Sequence, residues 1–422
     1  MRALVTGANG FLGRRVVAAL LARGVEVRAM VRPAARLEGL GWPPSVEVFR
    51  ADLRASRDLA GAFEGVDVLL HLAAVVSGGE DAQFAGTVVG TERLLEAMAT
   101  SACRRLVLCS SFSVYNYSSA RRILDENSPL HETPDVYTRD GYTIAKWWQE
   151  RVTRRFAAKH GWDLTVLRPG FIWGRDHGYL AALGQQFGRH HLVIGPLTRI
   201  PMTHVENCAD VFALAATDPR ARGRTLNVVD GHGERIWTYL SDYMRGSGQP
   251  GWRLPVPYWL AISAVRLAYA TAFRRATKVP AILTPRRLEA MLKPFRFENR
   301  RLRETLGWTP PLDYQQCLAR TYGPETAPAP EAARRGLGSL ADANSPYEVE
   351  EPVLGELVVC EIAAGVRNKR DAADPSGATS AGPLGRRAVS DLSPRTGRAG
   401  SSPSRDARQT TGAGAGSPRE AS

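Results

Sequence analysis

Ala3-Leu4-Val5-Thr6-Gly7-Ala8-Asn9-Gly10-Phe11-Leu12-Gly13 decides how the rest of the chain reads. Ala3-Leu4-Val5 suits a short buried strand, and apolar residues at helical spacing follow from Phe11 to Arg23. The glycines at 7, 10 and 13 therefore sit at a strand-to-helix junction. Gly7 permits the tight turn, Gly10 lets backbone approach a pyrophosphate, and Gly13 lets helix and strand pack closely. The helix amino end offers free N–H groups and a favourable dipole to phosphates. Gly7, Asn9, Gly10, Phe11, Leu12 and Gly13 are thus the candidate phosphate cradle of a dinucleotide.

Outward from this loop, strand-like and helix-like patterns alternate. Val25–Val31, Val46–Arg50, Val66–His71, Arg105–Cys109 and Leu164–Leu167 read as further strands. Residues 56–64, 81–101 and 140–160 read as helices between them. Short apolar strands alternating with helices imply an α/β fold with a doubly wound parallel sheet. Residues 1–175 are expected to form this dinucleotide-binding domain. Residues 176–325 read as a smaller, mostly helical substrate region over the sheet's carboxyl edge. Its helical patterns fall at 206–217, 237–246, 256–276, 283–293 and 313–321, and completion of the sheet from this part is left open. Residues 326–422 open on Thr-Ala-Pro-Ala-Pro and continue rich in Gly, Ala, Ser, Pro and Arg. Such a composition cannot bury enough apolar area to offset its ordering entropy, so a linker and disordered tail are expected.

Composition narrows the function classes. With 44% hydrophobic and 23% charged residues the chain is ordinary for a globular protein. No run of 18 apolar residues suggests a membrane span, and the first residues lack the core of a signal peptide. The five cysteines (103, 109, 208, 317, 360) form no Cys-x-x-Cys pair, so neither a disulfide framework nor a metal site is expected, and a cytoplasmic location fits. Net charge is +13, but residues 326–422 carry 12 basic and 12 acidic groups. The surplus lies in residues 1–325, no nucleic-acid motif accompanies it, and no nucleic-acid partner is expected.

Tyr142-Thr-Ile-Ala-Lys146 lies on the helix expected over 140–160. Residues four apart share a helical face, so phenol and ammonium point into one space. With 12 Tyr and 5 Lys, about 0.14 such spacings are expected by chance. A phenol of pKa about 10 is a poor base at neutral pH. A neighbouring ammonium, together with an oxidised nicotinamide, favours the phenolate, which lets Tyr142 move a hydroxyl proton beside the nicotinamide, while Lys146 can bond the nicotinamide ribose; Tyr142 and Lys146 are both expected to contact the cofactor. The fifth strand runs into Ser110-Ser111-Phe112-Ser113-Val114-Tyr115, which supplies a hydroxyl near the sheet's carboxyl edge. At the end of strand two, where a carboxylate usually binds the ribose of NAD, this chain has Arg32, with Arg36 nearby. Arg suits a 2′-phosphate, so NADP(H) is favoured over NAD(H).

The glycine loop, Ser-Ser-x-x-Val-Tyr and Tyr-x-x-x-Lys in this order resemble the extended short-chain dehydrogenase/reductase (NAD-dependent epimerase/dehydratase) family. The likeness covers about residues 1–323. It includes Gly-Val-Asp-Val-Leu-Leu-His71-Leu-Ala-Ala, Leu167-Arg168-Pro169-Gly170, His204-Val-Glu-Asn and Leu-Gly307-Trp308-Thr-Pro310. The resemblance implies a Rossmann fold and assigns Ser111 to catalysis beside Tyr142 and Lys146. It implies that Asp52 and Leu53 bind adenine, that Leu72, Ala73 and Ala74 line the cofactor, and that Pro169 lies near the nicotinamide. The sequence departs from the family's pattern at Thr87, where the family often has Asn. Phe112-Ser113 stands where sugar-nucleotide dehydratases carry Asp-Glu, which argues against water elimination.

Val-Arg-Ala-Met-Val-Arg-Pro, Leu-Arg-Pro-Gly and His-Val-Glu-Asn look most like the 3β-hydroxysteroid dehydrogenase and dihydroflavonol reductase branch. That implies interconversion of a secondary alcohol and a ketone on a bulky, apolar small molecule. A nucleotide-sugar epimerase is the second reading and a non-catalytic cofactor sensor the third. Residues 254–278 are apolar nearly all round with a basic rim. They suit either a membrane-surface contact or a helix buried against the pocket or a second subunit of a homodimer.

Overall fold

The computed structural model describes residues 1–323 except 57, 184, 188, 189, 232, 250 and 272–284. The first half alternates β1 (Arg2–Thr6), α1 (Phe11–Leu21), β2 (Glu26–Val31), β3 (Glu47–Arg50), β4 (Val68–His71), α2 (Glu80–Phe84), α3 (Gly90–Ala99), β5 (Arg105–Cys109), β6 (Ile123–Leu124), α4 (Gly141–His160) and β7 (Asp163–Pro169). The second half adds β8 (Phe171–Trp173), β9 (Gln185–Phe187), β10 (His190–Ile194), β11 (Met202–His204), α5 (Val205–Thr217), β12 (Thr225–Val228), α6 (Ile236–Gly246), β13 (Arg253–Val256), α7 (Tyr258–Thr271), α8 (Pro285–Leu292), β14 (Arg296–Phe297), α9 (Arg300–Leu306) and α10 (Tyr314–Tyr322).

Among the described residues, seven parallel strands form the main sheet in the order β12-β7-β5-β4-β1-β2-β3. The apolar strands explain this arrangement: β4 and β5 are buried along their whole length, as strands covered on both faces must be. One core layer packs α1 and α5 on the sheet through Val16, Leu20, Phe212 and Ala216. The other packs α3 and α4 through Leu94, Leu95, Met98 and Trp148. The fold is therefore the doubly wound Rossmann type.

Strand order reverses at β1, because the chain builds β2 and β3 to one side of it and β4 onward to the other. A reversal of this kind leaves a crevice beyond the strands' carboxyl ends, between β1 and β4. Thr6 and His71 stand at those two ends.

The later part differs in detail from the expectation for residues 176–325. Helix α5 and strand β12 return to the main sheet, and α9 adds Leu302 and Leu306 to its core. Three small sheets, β13-β10-β9, β11-β8 and β14-β6, join the remaining helices. Residues 56–64 do not form the expected helix. Only Ala60–Phe63 make a short 3-10 turn, because the Asp58 carboxylate takes the N–H groups of Ala60 and Gly61 and Gly65 then turns at φ +66. The expected linker and tail at 326–422 lie outside the described residues.

Candidate active site

The glycine loop has the conformation its sequence asks for. Gly7 sits at φ +65, where a side chain is strained, and a Cβ there would press to 3.1 Å on Ala73 Cα. At Gly13 a Cβ would overlap the carbonyl oxygen of Gly7 and come within 2.8 Å of Ala8 Cα. Helix α1 starts at Gly10 without any side-chain cap, so its first N–H groups stay open to an anion. Asn9, Phe11 and Leu12 are half-buried around this opening, and the Phe11 ring stacks on His177 at 4.0 Å between centroids. Leu72, Ala73 and Ala74 line the facing strand end, half-buried. A loop that tolerates no Cβ and presents uncapped N–H groups fits the pyrophosphate of a dinucleotide.

Across the crevice, Tyr142 and Lys146 stand one turn apart on α4, whose start is fixed by Asp140 accepting the Thr143 N–H at 3.1 Å. The Lys146 ammonium is buried and donates to the Cys109 carbonyl at 2.8 Å and to Gln149 Oε1 at 2.9 Å. Burial lowers its pKa, an effect the neighbouring Cys109 and Glu150 oppose. The Tyr142 phenol is raised above its ordinary value, chiefly by desolvation, while its hydrogen bond with Ser111 works the other way. Desolvation is the largest influence on the phenol here, and the ammonium of Lys146, engaged by Cys109 and Gln149, is not among the groups that shift it. Ser111 also accepts the Ser113 N–H at 3.1 Å, which fixes its hydroxyl at the head of a short turn.

This side of the crevice is braced from behind. Glu150, one turn beyond Lys146, pairs with Arg168 of β7 at 2.5 Å and accepts the Ser110 hydroxyl at 2.5 Å. The Arg168 guanidinium holds the Glu150 carboxyl down at about 2 despite its burial. Arg168 also lies 4.8 Å over the Tyr115 ring, whose hydroxyl donates to Asn227 Oδ1 at 2.7 Å. The Ser110–Tyr115 loop is therefore clamped between α4, β7 and β12. Pro169 follows Arg168, buried at the end of β7.

At the other end of the crevice, Asp52 and Leu53 follow β3, half-buried. Asp52 is lowered mainly by its hydrogen bond from Arg54, at 2.9 Å, and also feels the charge of Arg32. Arg32 and Arg36 are exposed at the end of β2. Thr87, in the one-turn π-helix 85–89 between α2 and α3, accepts the Val75 N–H at 3.0 Å and is buried.

The glycine loop, the Tyr142–Lys146 pair and the Ser111 hydroxyl thus stand at the carboxyl edge of a doubly wound sheet, where its strand order reverses. Residues 3–229 match the model of the NAD dependent epimerase/dehydratase family. The chain belongs to that family. It is an NAD(P)-dependent enzyme of the extended short-chain dehydrogenase/reductase type.

Two relatives narrow its place in the family. A Stigmatella aurantiaca 4-hydroxy-2-methyl-3-oxo-4-farnesyl-3,4-dihydroquinoline-1-oxide ketoreductase is 30% identical over 77% of this chain and 97% of its own length. A Mycobacterium tuberculosis 3 beta-hydroxysteroid dehydrogenase/Delta 5-->4-isomerase is 29% identical over 75% of this chain and 88% of its own length. The fold is shared with the solved Thermus thermophilus UDP-glucose 4-epimerase in complex with NAD, with a TM-score of 0.55 and 21% identity over 76% of this chain and 98% of that one.

In this epimerase/dehydratase chain three polar residues near the site escaped the motif reading: Thr6, Thr91 and Gln149. Gln149 had a signal, since it lies three residues beyond Lys146 and seven beyond Tyr142, on the same helical stripe. Thr6 and Thr91 had none, because each reaches the site through His71, Thr6 by the pairing of β1 with β4 and Thr91 by the packing of α3.

Proposed function

We propose that the protein interconverts a secondary hydroxyl and a ketone on a bulky, apolar molecule of steroid or flavonoid type, with NADP(H) preferred over NAD(H). The observation that carries this reading is the Tyr142 phenol, hydrogen-bonded to Ser111 and one helical turn from the anchored Lys146. When bound, a nicotinamide dinucleotide supplies the hydride in reduction and accepts it in oxidation. Gly7 to Gly13 would hold its phosphates, Leu72 to Ala74 its middle, and Arg32 the 2′-phosphate. Ser111 donates a hydrogen bond to the substrate oxygen and holds it beside Tyr142. Tyr142, kept neutral by desolvation, gives its proton to that oxygen as the carbonyl becomes a hydroxyl. The ammonium of Lys146 stabilises the phenolate that remains.

The named substrates of the two relatives, a farnesylated quinoline oxide and a 3β-hydroxysteroid, are both bulky and apolar. They favour this reading over the nucleotide-sugar epimerase, which rests on likeness of fold. Helix α7 adds support. Only Ala261 and Ile262 are buried on it, and Trp259, Leu260 and Leu267 face outward, which suits contact with a membrane surface or a second copy of the chain. The deciding experiment follows reduced nicotinamide absorbance with each cofactor against steroids, flavonoid-like ketones and sugar nucleotides. Stoichiometric cofactor turnover on an apolar ketone or alcohol is expected. Conversion of a sugar nucleotide without net cofactor change would replace this reading with the epimerase.

A further inference from the structure

Lys146 is held by a buried polar network whose hydrogens can be assigned one by one. An ammonium only donates, so the Gln149 atom 2.9 Å from it must be the amide oxygen. The Gln149 nitrogen then faces the Ala73 carbonyl at 3.3 Å and Thr91 Oγ1 at 3.0 Å, using both of its hydrogens, and its 3.2 Å approach to His71 Nε2 is a contact between two donors that converge on Thr91 Oγ1. A flipped amide would set N–H against ammonium and oxygen against carbonyl. Thr91 Oγ1 gives its own proton to the Thr87 carbonyl at 2.5 Å, so it accepts from its other neighbours. His71 Nε2, 2.7 Å from Thr91 Oγ1, must therefore carry a hydrogen. His71 Nδ1 is then an acceptor and takes the proton of Thr6 Oγ1 at 2.8 Å. Thr6 Oγ1 in turn accepts the N–H groups of Leu72 and Ala73, both at 3.2 Å.

In this scheme both hydrogens of the Gln149 amide, the ring N–H of His71 and both threonine protons are used. Burial and the charge of Lys146 push the His71 pKa down to about 3, so the imidazole stays neutral and passes no proton at ordinary pH. The network runs from the last residue of β1, just before the phosphate turn, to the amine on α4. An ammonium has three N–H groups, and two are fixed by the Cys109 carbonyl and Gln149. Only one direction is left for the third.

We infer that Gln149 is a positioning residue: by anchoring Lys146 to the Thr6–His71–Thr91 network it aims the remaining ammonium N–H at the cofactor's ribose. The inference rests on the dinucleotide reading of the site and names a residue outside the glycine loop and the Tyr-x-x-x-Lys pair.

The test measures NADH and NADPH binding to the full chain by nicotinamide fluorescence, across pH, in wild type, Gln149→Met, Gln149→Glu and Lys146→Met. Gln149→Met keeps the side chain's length and removes its polar atoms. It is expected to weaken binding about tenfold, the weight of one hydrogen bond to a charged group, with the melting transition still cooperative. Gln149→Glu restores an acceptor for the amine but sets its second oxygen against the Ala73 carbonyl, so it is expected to recover part of that loss. The alkaline limb of binding is a second readout, which a merely structural role would not move. The groups that face Lys146 are Cys109 on β5, His71 on β4, and Tyr142 and Glu150 on its own helix. Cys109 and Tyr142 are themselves raised by burial. The limb is assigned to the ammonium by its loss in Lys146→Met, and should move to lower pH in Gln149→Met and to higher pH in Gln149→Glu. Unchanged affinity and limb in Gln149→Met, with Lys146→Met impaired, would overturn the inference and leave the functional reading intact. Should Gln149→Met not fold, a Gln149→Glu limb at the wild-type pH overturns it equally. Wild type that binds neither dinucleotide removes the functional reading and this inference together.

Discussion

His71 Nδ1 lies 2.8 Å from Thr6 Oγ1 and joins the carboxyl ends of β4 and β1 where the sheet order reverses. With Nδ1 as the acceptor the bond requires a neutral imidazole, and burial favours that form over the charged one.

That requirement has a consequence for stability. His71 is lowered to about 3, and His131 and His204 are each lowered to about 4, all chiefly by burial. An unfolded histidine binds its proton near pH 6.5. Below that pH the unfolded chain takes up protons that the folded chain refuses, so stability is complete above about pH 6.5 and falls as pH drops toward the folded values. Each such group contributes a slope of up to about 1.4 kcal/mol per pH unit within its window. Denaturant melts between pH 7 and 4 should show this decline, and His71→Gln should make it shallower. An identical slope in the variant would take His71 out of the account.

Tyr142→Phe removes the proton that the substrate oxygen needs and leaves the helix face otherwise unchanged. Turnover should fall by about 10²–10⁴, the usual weight of a positioned general acid. Cofactor binding should stay within about twofold, since no hydrogen bond to phosphate or adenine is lost. A variant as active as wild type would place the proton transfer elsewhere.

Arg32→Asp tests the cofactor preference. Arg32 is exposed at the end of β2, and its charge reaches Asp52 just after β3. A carboxylate there would repel a 2′-phosphate and accept from a 2′-hydroxyl. The ratio of NADPH to NADH affinity should drop by about tenfold or more, on the order of one charge-assisted hydrogen bond. An unchanged ratio would remove Arg32 from the cofactor site.

Gly13→Ala addresses the cradle itself. The added methyl meets the Gly7 carbonyl and two atoms of Ala8, all of them backbone, so relief requires α1 to move away from β1. A destabilisation of about 1–3 kcal/mol is expected, with dinucleotide binding weakened in parallel. Gly24→Ala is the contrast: it adds a methyl in open space, is strained only by its φ of +69, and should leave dinucleotide binding unchanged.

The sheet was legible because its signals are local. Ala3-Leu4-Val5, Val66–His71 and Arg105–Cys109 are apolar runs bounded by turns, and each became a strand within two residues of its expected limits. The glycines at 7 and 13 marked a tight strand-to-helix turn by their spacing, and Tyr142 and Lys146 a shared helix. What escaped was set by tertiary partners. The helix expected at 56–64 lost to the Asp58 cap, a side-chain bond that composition does not reveal. Strand β12 belongs to the main sheet through its pairing with β7, more than fifty residues away. The phenol's pKa could not be reasoned from Lys146 alone, because the opposing effect is desolvation by the packed crevice.

Helix α7 reads differently from sequence and from structure. Its apolar character suited burial against a pocket as well as a surface role, yet Trp259 is 67% exposed, Leu267 66% and Leu260 47%. Trp252 and Leu254, at the strand just before it, are 59% and 51% exposed. Apolar side chains of this size left in water mark a contact surface. From Tyr243 to Leu288 the sequence has no Asp or Glu and eight Lys or Arg; Arg245, Arg266 and Arg286 pair with Asp242, Glu289 and Asp135, and the remaining basic surplus favours an anionic surface. Two copies meeting through this face would bring like charges together, at a cost that grows as salt is lowered. The full chain should therefore co-sediment with phosphatidylglycerol vesicles more than with phosphatidylcholine vesicles, and less as salt is raised. Trp259→Ser combined with Leu267→Ser should abolish the association while leaving NADPH affinity unchanged, since neither residue lies in the crevice. Absence of vesicle binding, with a dimer in light scattering that the double variant dissolves, would instead assign the face to a second copy of the chain.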